Sequence, residues 1–271
     1  IIFVNDASKD GTESIIARLH KKDPIVKLIN LSRNFGQQAA VTAGLELARG
    51  EVIITMDADL QDPPEILPQF IEKLDQGYNV AYSVSVKRDD PALRRILFGL
   101  YYSVMDKMSP VKFPRNAGIF AAMDRQVVDT LLSINERNRF IPALRTWVGF
   151  KQVGIPFEKP KRFAGKETQS FAKLFKMGFD SLFSFSYVPL RLATILGLIV
   201  SFGAFLAILQ VLYQKLIAGT AILGWSSPLI STLFIGGVEL IILGIIGEYL
   251  GRIYDEVKRR PYYIVSNKLG F

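Results

Sequence analysis

Residues 55–66 read TMDADLQDPPEI, and three carboxylates, Asp57, Asp59 and Asp62, fall within this stretch. They follow the run EVIITM at 51–56, so the charge stands at the exit of what reads as a buried strand. Carboxylate oxygens are hard ligands that suit Mg2+ or Mn2+. Such ions commonly take one or two carboxylates and complete their shell with substrate phosphates. Gln61 adds a neutral oxygen two residues beyond Asp59. Pro63 and Pro64 set the exit turn and start the next helix. Alone, Asp-x-Asp is frequent in surface loops. Its weight here comes from the strand directly before it and from Asp6, which ends another apolar run.

The elements that must position these groups alternate along the chain. Strands are expected at 1–5, 26–31, 51–56 and 79–86, and helices at 13–22, 36–49 and 64–76, with Gly50 and Gly77 as stops. Alternation of this kind implies a parallel, doubly wound α/β sheet. In such sheets ligands sit beyond the carboxyl ends of the strands. Asp6, Ser32-Arg33 and the Asp57 cluster each follow a strand, so all are expected to line one cleft. The opening IIFVNDASKDGT lacks a basic n-region and a small-residue cleavage site, unlike a signal peptide. It reads as a strand without a lead-in, as though the chain begins inside a domain with its first element lost.

The second half changes character. Residues 93–108 carry apolar side chains at helical spacing, with Arg94, Arg95 and Lys107 off the stripe, and 171–186 repeat the theme with Phe171, Leu174, Phe175, Phe179, Leu182 and Phe183 around Lys173 and Lys176. Basic amphipathic helices with aromatic faces lie in membrane interfaces or pack on a core with the charges solvated. Leu192 to Gln214 holds no charged residue; roughly 22 residues of helix span about 33 Å, the thickness of a hydrocarbon core. Leu229 to Leu250 makes a second span, carrying Glu239 and Glu248. Glu239 is costly in lipid and should face a helix partner or a polar cavity, whereas Glu248 is placed to pair with Arg252. Arg191, Arg252, Lys258, Arg259 and Arg260 flank the spans, against Lys215 alone in the loop between them. The positive-inside rule therefore puts both termini and the globular part in the cytoplasm, with the chain multi-pass in the plasma (inner) membrane.

Composition agrees with a chain of two natures. Of 271 residues 49% are hydrophobic, the net charge is +8, and there is no cysteine, which excludes disulfides and thiolate metal sites. The positive balance suggests anionic partners. Nucleic acid is disfavoured, because no binding motif occurs and the basic residues gather near the apolar segments. His20 reads as a surface residue, Trp147 as packed in the core and Trp225 as interfacial.

NDASKDGT (5–12) resembles the nucleotide loop of the GT-A, family 2 glycosyltransferases, and LSRNFGQQAAVTAGLELARGEVIITMDADLQDPPE (31–65) resembles the signature of their polyisoprenyl-phosphate branch. That branch holds dolichol-phosphate mannose synthase and the bacterial GtrB-type enzymes, and the likeness runs along essentially the whole chain. It implies a GT-A (Rossmann-like) doubly wound sheet, interfacial amphipathic helices and two C-terminal transmembrane helices. The organisation expected is a catalytic domain at 1–160, a basic loop and interfacial helix at 161–188, the two spans at 189–251 and a cytosolic tail at 252–271.

By position, the resemblance makes Asp6 the carboxylate that contacts the nucleoside, with Arg33 beside the sugar nucleotide. Asp57 and Asp59 become the Asp-x-Asp pair, with Gln61 as a further ligand of Mg2+ or Mn2+. PRNAGIFAAMDRQVVD (114–129) resembles the acceptor-side loop and helix. Asn116 stands where many members have Asp, and Ala121 where they often have a charge, which leaves Asp124 as the catalytic candidate. Asp124 also reads as an N-cap before RQVVDTLL. RFAGKETQS (162–170) resembles the basic loop, so Arg162 and Lys166, with Arg88 and Arg95 opposite, are candidates for the acceptor phosphate, or are solvated and headgroup-facing charges.

The implied reaction moves a hexose, glucose from UDP-glucose, onto undecaprenyl phosphate with inversion. A GDP-mannose donor and a silent nucleotide-binding scaffold are the alternatives. A processive synthase is disfavoured, since ALRTWVGF (143–150) lacks Gln-x-x-Arg-Trp and only two spans are present. The tail RRPYYIVSNKLGF is expected to add a strand to a neighbouring sheet, and a homo-oligomer is expected with it.

Overall fold

The computed structural model describes residues 1–85, 117–137, 139–158, 188–217 and 226–271. It divides into one unit of Ile1–Gln169 with Arg259–Phe271 and another of Ser170–Lys258. The tail from Arg259 onward thus belongs to the first unit.

In the first unit β1 (Ile2–Asn5), α1 (Thr12–Lys22), β2 (Lys27–Leu31), α2 (Gln37–Leu47) and β3 (Val52–Thr55) follow in turn. A 3-10 turn (Pro64–Ile66) leads into α3 (Leu67–Asp75), and β4 (Val80–Ser85) follows. Then come β5 (Ala117–Asp124), α4 (Arg125–Ser133), α5 (Ile141–Trp147), β6 (Gln152–Phe157) and, after the second unit, β7 (Val265–Leu269). Gly77 stops α3 with φ +83°, a conformation only glycine takes at no steric cost.

The strands form a β1-β2-β7 sheet and a β3-β5-β4-β6 sheet. The expectation of a parallel sheet holds for β1 with β2 and β4 with β6, and fails for β5, which runs antiparallel to both β3 and β4. Alternation of strand and helix sets direction only across a visible crossover, and β5 enters from 86–116, outside the described residues. The tail strand β7 pairs antiparallel with β2 of the same chain, so the expected strand addition occurs in cis. Side chains reinforce it: Asn30 accepts from Asn5 at 2.9 Å and donates to Asn267 at 2.6 Å, a polar ladder across all three strands.

Phe70 on α3 packs edge-on against Phe120 of β5, 4.9 Å between centroids, and Phe157 of β6 continues the row. Ile66, Ala81, Ala122 and Ile155 complete this core. Burying each such ring is worth about 1.5–3 kcal/mol. A smaller core of Ile29, Leu31 and Ala43 lies between β2 and α2. Trp147 does not join either; it is 57% exposed, at the last position of the short α5, which turns its inner face through Leu144 and Arg145.

The second unit holds α6 (Val188–Leu216) and α7 (Ser226–Val257), which contain the two expected apolar segments. Among the described residues Phe234–Val257 is long and apolar enough to cross a membrane, and Leu192–Ala207 is a shorter apolar stretch. Leu198, Ile199, Leu240 and Leu243 are each at least 60% exposed. Glu248 and Arg252 pair at 2.8 Å, as their spacing predicts. Glu239 is exposed on the single chain. The amphipathic segments 93–108 and 171–186 lie outside the described residues.

Candidate active site

Three loops leave the carboxyl ends of β1, β2 and β3, and side chains tie each to the next. At the end of β1, buried Asn5 accepts from the Ser8 amide at 3.0 Å and folds the chain over Ala7, whose φ is +55°. This turn delivers Asp6 to the loop after β2. One carboxylate oxygen of Asp6 accepts from the Phe35 amide at 2.7 Å and the other from the Gly36 amide at 2.8 Å. Gly36 has φ +96°, which lets successive amides point at one carboxylate. Arg33 on the same loop is exposed, its guanidinium 4.7 Å from the Phe35 ring.

The next link is Gln37, the first residue of α2. Its side-chain amide donates to Asp57 Oδ1 at 2.7 Å and so joins the second loop to the acidic one. Within the acidic loop the Asp57 amide donates to Asp62 at 2.9 Å, and the Gln61 amide donates to Asp59 at 3.2 Å. Leu60 closes this turn with φ +60°, unfavourable for a leucine by about 1–2 kcal/mol. Its side chain is 67% exposed, so packing does not explain the conformation. Strain of this sort persists where surroundings fix it, and it clusters at ligand sites. Asp6, Arg33, Asp57, Asp59 and Gln61 were expected to line one cleft; hydrogen bonds link the three loops that carry them.

The donor set suits a small hard cation. Asp57, Asp59 and Gln61 are half-buried oxygen donors at alternate positions of one tight loop. Asp62 is turned inward, 5% exposed, and serves the loop backbone. No group of three or more His, Cys, Asp or Glu able to hold a metal occurs among the described residues. Two carboxylates and an amide are the protein share that Mg2+ or Mn2+ needs when phosphates supply the rest.

Asp124 stands elsewhere. In the β3–β5 ladder it faces Val52, the first residue of β3, whereas the acidic loop follows Thr55, the last. Val52 to Asp57 is five residues, or about 16 Å of strand. One Asp124 oxygen caps α4, accepting from the Val127 amide at 2.8 Å, and the other accepts from Asn79 at 2.7 Å. The geometry therefore shows Asp124 as the N-cap that its sequence also suggested, with both oxygens engaged away from the acidic loop. Arg125 beside it donates to the carbonyls of Ala48 and Gly50, closing the same end. The end of β5 that does reach the acidic loop carries Gly118, Ile119 and Ala121. Arg88, Arg95, Arg162, Lys166 and Asn116 lie outside the described residues.

Sequence reasoning missed Gln37 and Asp62 as the residues that hold the acidic loop. Asp62 was visible as a third carboxylate; Gln37 gave no signal beyond opening a helix. It also missed that the tail braces the second loop, where the Ser32 amide donates to Ile264 O at 2.9 Å.

Residues 1–132 match the sequence profile of Glycosyl transferase family 2. The chain is 42% identical over 271 residues to the uncharacterized glycosyltransferase YkcC of Bacillus subtilis (strain 168), covering all of this chain and 84% of that protein. It is 40% identical over 267 residues to a prophage bactoprenol glucosyl transferase homolog of Escherichia coli (strain K12), covering 98% and 87%. With the bactoprenol glucosyl transferase of Shigella phage SfV it shares 39% over 269 residues, covering 99% and 88%. The mannosyltransferase PcManGT from Pyrobaculum calidifontis, solved with GDP-Man and Mn2+, superposes loosely, with TM-score 0.39 and 15% identity over 94% of this chain and 77% of that one. The mixed α/β fold and the acidic loop at a strand end thus belong to a glycosyltransferase. The chain is a member of glycosyltransferase family 2, and its relatives include proteins named as bactoprenol glucosyl transferases.

Proposed function

We propose that this chain transfers glucose from UDP-glucose to undecaprenyl phosphate, a polyisoprenyl phosphate, at the cytosolic face of the plasma membrane. Near-full-length identity of about 40% to bactoprenol glucosyl transferases supports the sugar and the lipid. The single structural observation that carries the reading is the chain of contacts Asp6–Gly36, Gln37–Asp57 and Asp57–Asp62, which gathers the loops after β1, β2 and β3 at one edge.

Asp57, Asp59 and Gln61 would hold Mg2+ or Mn2+, which supplies charge neutralisation to a departing diphosphate. Gln37 fixes the direction of the Asp57 carboxylate. Asp6 holds the amides of Phe35 and Gly36 and so sets the floor on which a nucleoside rests, with Arg33 at the rim. A lipid phosphate monoester has a second pKa near 6 and is largely dianionic at neutral pH, so it can attack without a base. The absence of a titratable group on Gly118, Ile119 and Ala121 of β5 fits that requirement. What the acceptor needs is placement beside another anion. Arg88, Arg95, Arg162 and Lys166 are the basic groups proposed for it. One displacement inverts the anomeric centre. The exposed apolar faces of α6 and α7, two membrane spans in this reading, keep the acceptor's headgroup plane within reach.

The test is transfer of radiolabelled glucose from UDP-glucose to undecaprenyl phosphate by the membrane-embedded protein, with and without Mg2+ or Mn2+. Metal-dependent lipid-linked glucose supports the reading. Product from GDP-mannose alone changes the sugar and keeps the reaction. Nucleotide binding without transfer from any donor replaces the enzyme with a scaffold.

A further inference from the structure

Arg145 is the largest fully buried side chain among the described residues, 1% exposed, on α5. Its Nε and Nη2 atoms are buried and have no hydrogen-bond partner among the described residues. The guanidinium carbon lies 4.7 Å from the centre of the Tyr82 ring. Burial depresses its pKa to about 10, offset only by Tyr82, so it stays charged at neutral pH and no described carboxylate stands close enough to offset the burial. A buried cation without a counter-charge weakens the fold, and a hydrophobic side chain of similar volume would serve packing better.

Its place in the sheet is informative. Tyr82 of β4 and Thr55 of β3 both oppose Ala121 of β5, so they share one face and one level of the sheet. Thr55 is two residues ahead of Asp57. Arg145 therefore stands over the carboxyl-end level from which the acidic loop departs, beside Tyr82 on β4, with β5 between that strand and β3. Gly154 of β6 makes room: a Cβ there would meet Val84 at 2.7 Å and the Tyr82 ring at 3.3 Å. The α5 helix is also anchored to the site, because the Ile141 amide donates to Gln38 at 2.8 Å, next to the Gln37 that holds Asp57.

We propose that Arg145 is a phosphate-binding residue for the acceptor, its guanidinium fork receiving an oxygen of the lipid phosphate while the donor diphosphate occupies the Asp57–Asp59 loop. This rests on the transfer reaction proposed above. The Tyr82 ring face holds the cation until the lipid phosphate arrives.

The experiment compares wild type, Arg145→Met and Arg145→Lys, each as the full chain in lipid bilayers. Loss of a charge-assisted contact predicts a fall of about 10- to 150-fold in kcat/KM for undecaprenyl phosphate. The KM for UDP-glucose stays within twofold, Arg145→Lys recovers part of the loss, and Arg145→Met melts no lower than wild type. Unchanged acceptor kinetics in a folded Arg145→Met, or a shift confined to the donor KM, overturns the proposal. If Arg145→Met does not fold, Arg145→Lys alone decides on the same acceptor and donor constants. A second readout is independent of turnover: millimolar inorganic phosphate raises the wild-type Tm and fails to raise that of Arg145→Met. Equal shifts in both overturn the proposal. A wild type inactive with every donor sinks the transferase reading, and the phosphate titration then decides the fate of Arg145 by itself.

Discussion

Two aspartate sites stand at opposite ends of the same β3–β5 ladder. At one end Asp57 and Asp59 lie half-buried on a loop strained at Leu60, steadied from outside by Gln37 and from within by Asp62. At the other, Asp124 spends both oxygens on the α4 N-terminus and on Asn79. In the proposed function the first arrangement spends fold stability to hold carboxylates toward a ligand; the second uses a carboxylate to satisfy the backbone. An aspartate at a strand end is thus ambiguous until its hydrogen bonds are traced.

The largest effect should come from breaking the first end. Asp59→Ala, or chelation of divalent metal, should lower glucose transfer by about 10³-fold or more, since metal stabilisation of the leaving group is worth several kcal/mol. Its Tm should stay within about 2 °C of wild type, because the Gln61 amide can turn to water. Asp124→Ala should do the reverse. Loss of the cap removes about 1–2 kcal/mol of stability, read by denaturant titration of the soluble probes in the first unit, while turnover per folded molecule stays within about twofold. Asp124→Asn, still a capping residue, should recover most of that stability.

Gln37→Ala sharpens the comparison, since it leaves both aspartates in place and removes only the link to Asp57. A neutral-to-charged hydrogen bond of about 1.5 kcal/mol predicts roughly a tenfold drop in transfer with little change in Tm. The smallest effect belongs to Leu60→Gly. It relieves about 1 kcal/mol of left-handed strain and restores a similar entropy to the unfolded chain, so stability should move by no more than about 0.5 kcal/mol. A loss of transfer in that variant, measured at equal Tm, would identify rigidity of the loop as its contribution.

Much of the first end was legible from sequence. Apolar runs followed by Asp6, Ser32-Arg33 and Asp57 marked three strand ends, and ligand sites follow strand ends. The strand positions came out close, 26–31 against Lys27–Leu31 and 79–86 against Val80–Ser85, because a buried strand leaves a local apolar signature. Asp124 read equally as a cap and as a catalytic group, because the antiparallel run of β5, which carries it away from the acidic loop, has no local signature. The tail was read correctly as a strand added to a sheet; that the sheet is its own, through pairing across more than two hundred residues, is a property of the folded chain, visible in the β2–β7 register and the Asn5–Asn30–Asn267 ladder. Arg145 was not singled out in sequence, where ALRTWVGF served only to show that Gln-x-x-Arg-Trp is missing, and its burial follows from Tyr82 and Gly154 on strands far from it.

The most direct test of the account sets the two ends side by side: transfer of glucose from UDP-glucose to undecaprenyl phosphate, per folded molecule, by Asp59→Ala and Asp124→Ala in the same membranes. The account predicts loss of about three orders of magnitude in the first and near wild-type turnover in the second. Equal losses in both, with Asp124→Ala fully folded, would contradict it and return Asp124 to the chemistry.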